Sequence, residues 1–150
     1  MLGSGMAFEK MESAGYLANH MARLFAQGLA ERIKPLGIVP GQFPALLELW
    51  GNDGLTQKEL VDLLDVEQAT MANTLARMER DGLIRRTRDP DDGRAQRVWL
   101  TPRAKRLRKP ATAAADAQNA VALARLTAAE RRQFVDFMRR VVAAMRDVET

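Results

Sequence analysis

Apolar residues recur at helical spacing along most of the chain, and this spacing predicts the order of elements. From Phe8 to Ile33 they form one stripe, which Lys34-Pro35-Leu36-Gly37 ends, so a long first helix is predicted. A shorter pattern from Pro40 to Trp50 begins with proline in its first turn and predicts a second helix. Its predicted buried residues are Phe43, Leu46, Leu47 and Trp50.

The next two predicted helices form a pair. Thr56-Gln57-Lys58-Glu59 has the form of a capping box, which predicts the start of a third helix. The apolar side of that helix consists of Leu60, Leu63 and Leu64. After a turn at Asp65-Val66, a fourth helix is predicted from Glu67 to Asp81, with Gly82 ending it.

The fourth predicted helix has two different faces. Met71, Leu75 and Met78 share the apolar face. The opposite face is polar and cationic and consists of Ala69, Thr70, Asn73, Arg77 and Arg80. Two short helices joined by a tight turn, the second with such an outward face, indicate a helix-turn-helix.

A hairpin and two long helices are predicted for the rest of the chain. Leu83–Arg88 and Ala95–Leu100 are predicted strands, and the turn formers between them predict a hairpin with a charged tip. Thr101-Pro102 opens a helix in which Pro110 predicts a kink. Thr127-Ala128-Ala129-Glu130 is a second capping box and begins a final helix. The apolar stripe of that helix consists of Phe134, Phe137, Met138, Val141, Val142 and Met145.

Length and composition narrow the class of protein. A chain of 150 residues with 47% hydrophobic content can form one globular domain with a core, but not two independent ones. No membrane span or secretory signal pattern is present, so a cytoplasmic protein is expected, and residues 1–6 are expected to be a flexible leader or tag remnant. With no cysteine and a single histidine, His20, thiol chemistry and most metal centres are excluded, and no cofactor is expected.

The positive charge is concentrated in one segment. The net charge is +4, but residues 75–109 contain twelve Lys or Arg and five Asp or Glu, a net charge of +7. The rest of the chain therefore carries −3. A concentrated basic segment within a folded domain is typical of proteins that bind nucleic acid. An ordinary solvated basic face is the alternative.

Several motifs lie within this order of elements. They are Gly37-Ile38-Val39-Pro40-Gly41-Gln42-Phe43, Leu55-Thr56-Gln57-Lys58-Glu59-Leu60, Arg77-Met78-Glu79-Arg80-Asp81-Gly82-Leu83-Ile84-Arg85-Arg86, and Arg88-Asp89-Pro90-Asp91-Asp92-Gly93-Arg94 followed by Val98-Trp99-Leu100-Thr101. In these motifs the chain resembles the MarR family of winged helix-turn-helix transcriptional regulators, over Phe8 to Val148. That family commonly has two adjacent arginines at the tip of the hairpin, or wing, and here Gly93 stands in place of the first.

The resemblance implies a fold that is mainly α with a small β-hairpin wing (α+β). In a single domain over residues 1–150, a winged helix-turn-helix lobe (38–110) is flanked by dimerisation helices (8–34 and 111–148). The first and last helices carry more apolar surface than the lobe alone can cover, which implies a partner. The resemblance implies that they interlock across a two-fold axis in a homodimer, which predicts a pseudo-palindromic operator. The candidate interface residues are Leu17, Met21, Leu24, Leu123, Phe134, Phe137 and Val141, and a purely intramolecular core is the alternative.

The outward face of the fourth helix carries side chains that can read base edges in the major groove. The candidates are Gln68, Ala69, Thr70, Asn73, Thr74 and Arg77, and a solvated helix face is the alternative. Basic residues expected to contact phosphates or to attract DNA at longer range are Arg85, Arg86, Arg88, Arg97, Arg103 and Lys105. The resemblance implies that Arg94 enters the minor groove from the wing tip. Pairing of Arg94 with Asp89, Asp91 or Asp92 is the alternative, and both roles are compatible.

The resemblance also implies a crevice for a small aromatic or phenolic effector. The candidate lining residues are Tyr16, His20, Arg23 and Trp50, with a structural role as the alternative for each. Because the chain has no cysteine, release from DNA by a bound small molecule is favoured over release by thiol oxidation.

The sequence therefore predicts a regulator that binds specific double-stranded DNA and is not an enzyme, and the resemblance implies repression. A metal-dependent enzyme would have to use Asp89, Asp91 and Asp92, which lie at a hairpin tip without a histidine nearby. An architectural DNA-binding protein without ligand response is the remaining alternative. The polar side chains of Gln68, Thr70 and Asn73 argue against it, because a purely electrostatic binder needs only cations there.

Overall fold

The computed structural model describes residues 7–148, so the prediction of a leader at residues 1–6 lies outside the described residues. The helices are α1 (Ala14–Ile33), α2 (Phe43–Gly51), α3 (Gln57–Leu64), α4 (Gln68–Arg80), α5 (Pro102–Ala122) and α6 (Ala128–Val148). The strands β1 (Ile84–Arg88) and β2 (Gln96–Leu100) pair into an antiparallel hairpin. The predicted mainly helical α+β fold with a small hairpin is confirmed.

Helix α1 begins later than the apolar stripe predicts, and a start at Phe8 is wrong. A 3-10 turn at Lys10–Glu12 comes first, and α1 begins after Ser13, whose hydroxyl accepts a hydrogen bond from the N–H of Tyr16 at 3.3 Å. Ser13 has an extended backbone and caps the helix, which fixes its first turn at Ala14. At the other end Ile33 is fully buried, and a 3-10 turn ends at Gly37 with a φ of 77°.

The core of the lobe lies among α2, α3, α4 and the hairpin. Phe43, Leu46 and Trp50 are buried as predicted. The prediction that Leu47 is buried is wrong, because its side chain is 46% exposed. Leu63, on the apolar side of α3, is exposed to the same extent. The helix-turn-helix itself forms as predicted, with the capping box of α3 in place.

The wing is fixed to the segment that precedes α3. Ile84 is opposite Leu100 and Arg88 is opposite Gln96, and the other edge of β2 binds a further segment of backbone. The N–H of Val98 donates to the Leu55 carbonyl at 2.8 Å, and the Val98 carbonyl accepts from the N–H of Gly54 at 3.0 Å. The base of the wing is therefore held on two sides.

The chain forms two compact units, residues 7–115 and residues 116–148. Helix α5 continues through Pro110 to Ala122 without interruption. In the second unit the predicted capping box is present, because Thr127 Oγ1 accepts from the N–H of Glu130 at 3.1 Å and the Glu130 carboxylate accepts from the N–H of Thr127 at 2.8 Å. None of the residues of α6 is buried. Within residues 7–148, every helix falls short of the length and apolarity that crossing a membrane requires.

Candidate nucleic-acid interface

Helix α4 separates its apolar and polar residues as its sequence pattern predicts. Met71, Leu75 and Met78 are at most 3% exposed and attach the helix to the core. Of the six candidates for reading base edges on the outward face, five are exposed and Thr74 is half-buried. The exposed residues are Gln68, Ala69, Thr70, Asn73 and Arg77. Gly82, with a φ of 74°, follows the end of the helix. The polar surface therefore lies along a helix of about three and a half turns.

A groove of about 420 Å³ joins the start of α4 to the wing. Gln68 lines it from α4, Arg94, Ala95 and Gln96 line it from the wing, and Thr56, Gln57 and Lys58 line it from the start of α3. The sequence interpretation did not single out the three α3 residues as DNA contacts. The capping box could have identified these residues as DNA contacts. It marks the N-terminus of α3, and helix N-termini attract phosphate groups. The structure thus brings two of the predicted contact residues, Gln68 and Arg94, to one groove.

The wing tip is organised by Asp89 and Arg97. Asp89 is 8% exposed, and its carboxylate accepts from the N–H of Asp91 at 2.8 Å and pairs with the Arg97 guanidinium at 3.1 Å. The Asp91 N–H and the Arg97 charge hold the pKa of Asp89 below its usual range. Arg97 also donates to the Gly54 carbonyl at 2.9 Å, so it ties the wing tip to the segment before α3.

Arg94 differs from Arg97 because its guanidinium has no hydrogen bond or ion pair within residues 7–148. Its backbone N–H donates to the Asp92 carboxylate at 3.0 Å, and its side chain is exposed beside the groove. In the described structure, the arginine whose guanidinium pairs with a wing aspartate, Asp89, is Arg97. Arg94 therefore has its full charge available for an external anion.

Several other arginines of the basic segment are held by internal contacts. Arg86 pairs with Glu79 at 2.9 Å, and this hydrogen bond lowers the pKa of Glu79. Arg103 donates to the carbonyls of Asp81 at 2.7 Å and Leu36 at 3.2 Å. Arg108 donates to the carbonyl of Trp50 at 2.9 Å. Exposed arginines of this segment without such contacts in the described part of the chain are Arg77, Arg85, Arg88, Arg94 and Arg106.

This division changes the interpretation of the charge. The +7 segment combines cations that stabilise the lobe with cations that face solvent. Arg103, which the sequence interpretation assigned to phosphate contact or attraction, connects the end of α4 with the segment before α2.

The candidate effector residues lie in different surroundings. The rings of Tyr16 and His20 are 6.1 Å apart in an edge-on contact, with Tyr16 half-buried and His20 exposed. Arg23 is also exposed on α1. Trp50 is buried, and its indole N–H donates to the Ala104 carbonyl at 2.9 Å. The polar atom of Trp50 thus already has a partner within the lobe.

The candidate dimer residues are mostly accessible in the single chain. Leu17, Leu24, Phe137 and Val141 are exposed by 39, 53, 54 and 57% respectively. The remaining three, Met21, Leu123 and Phe134, are half-buried. Among residues 7–148, the structure contains no group of three or more His, Asp or Glu side chains that can hold a metal ion.

Comparison with known proteins gives consistent results. The model of the MarR family matches residues 36–95. An HTH-type transcriptional repressor of Mycobacterium tuberculosis is 32% identical over 120 residues, which is 80% of this chain and 86% of that protein. The PcaV transcriptional regulator of Streptomyces coelicolor, solved in complex with its natural ligand, is 27% identical, with a TM-score of 0.80 and coverage of 93% of this chain and 98% of the other. A putative MarR family regulator of Listeria monocytogenes, solved with a 26mer DNA, is 25% identical, with a TM-score of 0.82 and coverage of 91% of both chains.

Proposed function

Because the chain belongs to the MarR family of winged-helix transcriptional regulators, we propose that it represses transcription as a homodimer bound to a pseudo-palindromic operator. The observation that carries this proposal is the polar outward face of α4, which adjoins the groove lined by Gln68 and Arg94. Helix α4 occupies the major groove, and Asn73 and Arg77 contact base edges there. The related regulator from L. monocytogenes has been solved with DNA, which supports this role.

The wing completes the proposed contact with DNA. Arg94 inserts into the minor groove, where its unpaired guanidinium meets a strongly negative potential. Arg85 and Arg88 contact phosphates and add affinity without reading sequence. Arg86 and Arg97 contribute by holding the wing in place, since Glu79 and Asp89 already pair with them.

Dimer formation is proposed to use α1, α6 and the end of α5. An amphipathic helix whose apolar stripe is uncovered in the single chain needs a partner. Val141 and Met145, one helical turn apart, are 57% and 66% exposed. Two-fold symmetry then places two α4 helices in successive major grooves, about 34 Å apart along the DNA.

Selection of bound fragments from random duplexes tests the proposal. The expected result is a shared inverted repeat whose half-sites are centred about 10 base pairs apart. A bound pool without a shared sequence would contradict sequence-specific regulation and would favour an architectural DNA-binding protein. Light scattering of the free protein at micromolar concentration should give twice the monomer mass, and a monomer would contradict the dimer.

The proposed signal is a small aromatic acid that releases the protein from DNA in the cytoplasm. The complex of PcaV with its natural ligand supports a ligand response in a related protein. The adjacent rings of Tyr16 and His20 and the exposed Arg23 offer an aromatic surface next to a cation. Operator binding measured with and without 4-hydroxybenzoate at millimolar concentration tests this class. Unchanged affinity with this probe and with salicylate would contradict it.

A further inference from the structure

Glu67 occupies the N-cap position of α4 without capping the helix. Its backbone is extended (φ −70°, ψ 148°), and its side chain accepts no helix N–H. Ser13 and Thr56, at the same position of α1 and α3, each accept a helix N–H with the side-chain oxygen. The carboxylate of Glu67 is exposed, and it has no hydrogen bond or ion pair within the described residues. This acid is therefore available to an external donor.

The position of Glu67 matters because of what lies beside it. It directly precedes Gln68, which lines the groove with Arg94. In a helix-turn-helix, the N-terminal residues of the recognition helix are the ones that reach the base edges. If α4 occupies the major groove, Glu67 enters a surface that is otherwise lined by phosphates and by the polar edges of bases.

Of the base edges in the major groove, that of cytosine matches a carboxylate best. Phosphates repel it, and so do the O6 and N7 acceptors of guanine and the O4 acceptor of thymine. Adenine presents an amino donor beside the N7 acceptor, an arrangement that suits an amide side chain better than a carboxylate. Cytosine presents the N4 amino group as a donor, and Glu accepts from it.

We propose that Glu67 determines specificity by accepting a hydrogen bond from the N4 amino group of a cytosine in each half-site. The inference rests on the proposed function, because it requires α4 to lie in the major groove. The competing role is that the Glu67 charge only stabilises the positive N-terminal end of the α4 dipole. That role affects folding stability and leaves base preference unchanged.

The experiment compares base preferences of the full-length wild type with those of Glu67→Ala, Glu67→Gln and Glu31→Gln. Glu31→Gln is the matched control, since it removes one negative charge from an exposed glutamate on α1. Each protein is titrated with the selected operator and with duplexes in which every half-site position is changed in turn.

For the wild type, one position in each half-site should require cytosine, with a loss of about tenfold or more for each other base. Glu67→Ala should reduce that loss to within about twofold, and Glu67→Gln should shift the preference toward adenine. Glu31→Gln should keep the wild-type profile. If Glu67→Ala keeps the wild-type preference at every position, the inference is overturned while the proposed function stands. If the wild type itself shows no preferred sequence, the proposed function fails first.

Discussion

Two arginine substitutions with the same charge change should differ in their effect on the salt dependence of DNA binding. Arg88→Gln removes an exposed cation that has no contact within residues 7–148. Arg103→Gln removes a half-buried cation that donates to the Asp81 carbonyl at 2.7 Å and to the Leu36 carbonyl at 3.2 Å. Each variant loses one positive charge per protomer, so net charge alone predicts equal effects.

The contacts of the two arginines give different magnitudes. In the proposed homodimer Arg88→Gln removes two phosphate contacts, which lowers the slope of log affinity against log salt by about 1.8. The ratio of the wild-type affinity for DNA to the Arg88→Gln affinity should then be about 12-fold larger at about 50 mM salt than at about 200 mM. Arg103→Gln should leave the slope within about 0.5 of the wild type. It should lower the free energy of unfolding by about 1–3 kcal/mol, because two carbonyls lose a charged donor.

Fluorescence anisotropy with one labelled operator across a salt series measures the slopes, and urea unfolding measures the stabilities. Arg88→Gln should unfold like the wild type. Equal reductions of slope in both variants would refute the division of arginines into structural and exposed groups. So would an Arg103→Gln variant with unchanged stability and a reduced slope.

Three further predictions concern the lobe. Trp50→Phe should lower the free energy of unfolding by about 1–3 kcal/mol, because the buried Ala104 carbonyl loses its donor, and urea unfolding without such a loss would contradict this. Gly54→Ala should lower the free energy of unfolding by about 1 kcal/mol or more. Gly54 has a φ of 85°, and a Cβ there would lie 2.6 Å from the Trp99 ring. A thermal midpoint equal to that of the wild type would count against this prediction. In the folded state, the pKa of Asp89 lies below its ordinary value of 3.8. The ionised Asp89 carboxylate therefore contributes fully to stability above about pH 5, and this contribution is lost as the pH falls below 3.8 through the folded pKa. Asp89→Asn should therefore reduce the acid-induced loss of stability between pH 5 and pH 2, and an unchanged pH profile would argue against this role.

Local patterns predicted the helix-turn-helix and the wing. Met71, Leu75 and Met78 repeat at intervals of three and four residues, and Thr56 and Glu59 form their capping box within one turn, so neither feature depends on distant parts of the chain. The exposure of Leu47 was not predictable in this way. An apolar helix face shows which side is covered, but the neighbouring elements decide how far the cover extends.

The roles of the arginines depended on contacts that are distant in sequence. Arg103 reaches carbonyls 22 and 67 residues away, and Arg97 reaches Gly54, which is 43 residues away. A charge count over residues 75–109 cannot separate these residues from Arg88 or Arg94. Trp50 was proposed as an effector contact for the same reason, because its partner Ala104 lies 54 residues away.

The most direct test of the central claim compares the affinity for the selected operator with the affinity for a scrambled duplex of the same length and composition. Both affinities are measured at one salt concentration, about 150 mM. A sequence-specific regulator should prefer the operator by about 10³-fold or more. A ratio within about threefold of unity would contradict the account, because α4 and the wing would then bind DNA by charge alone.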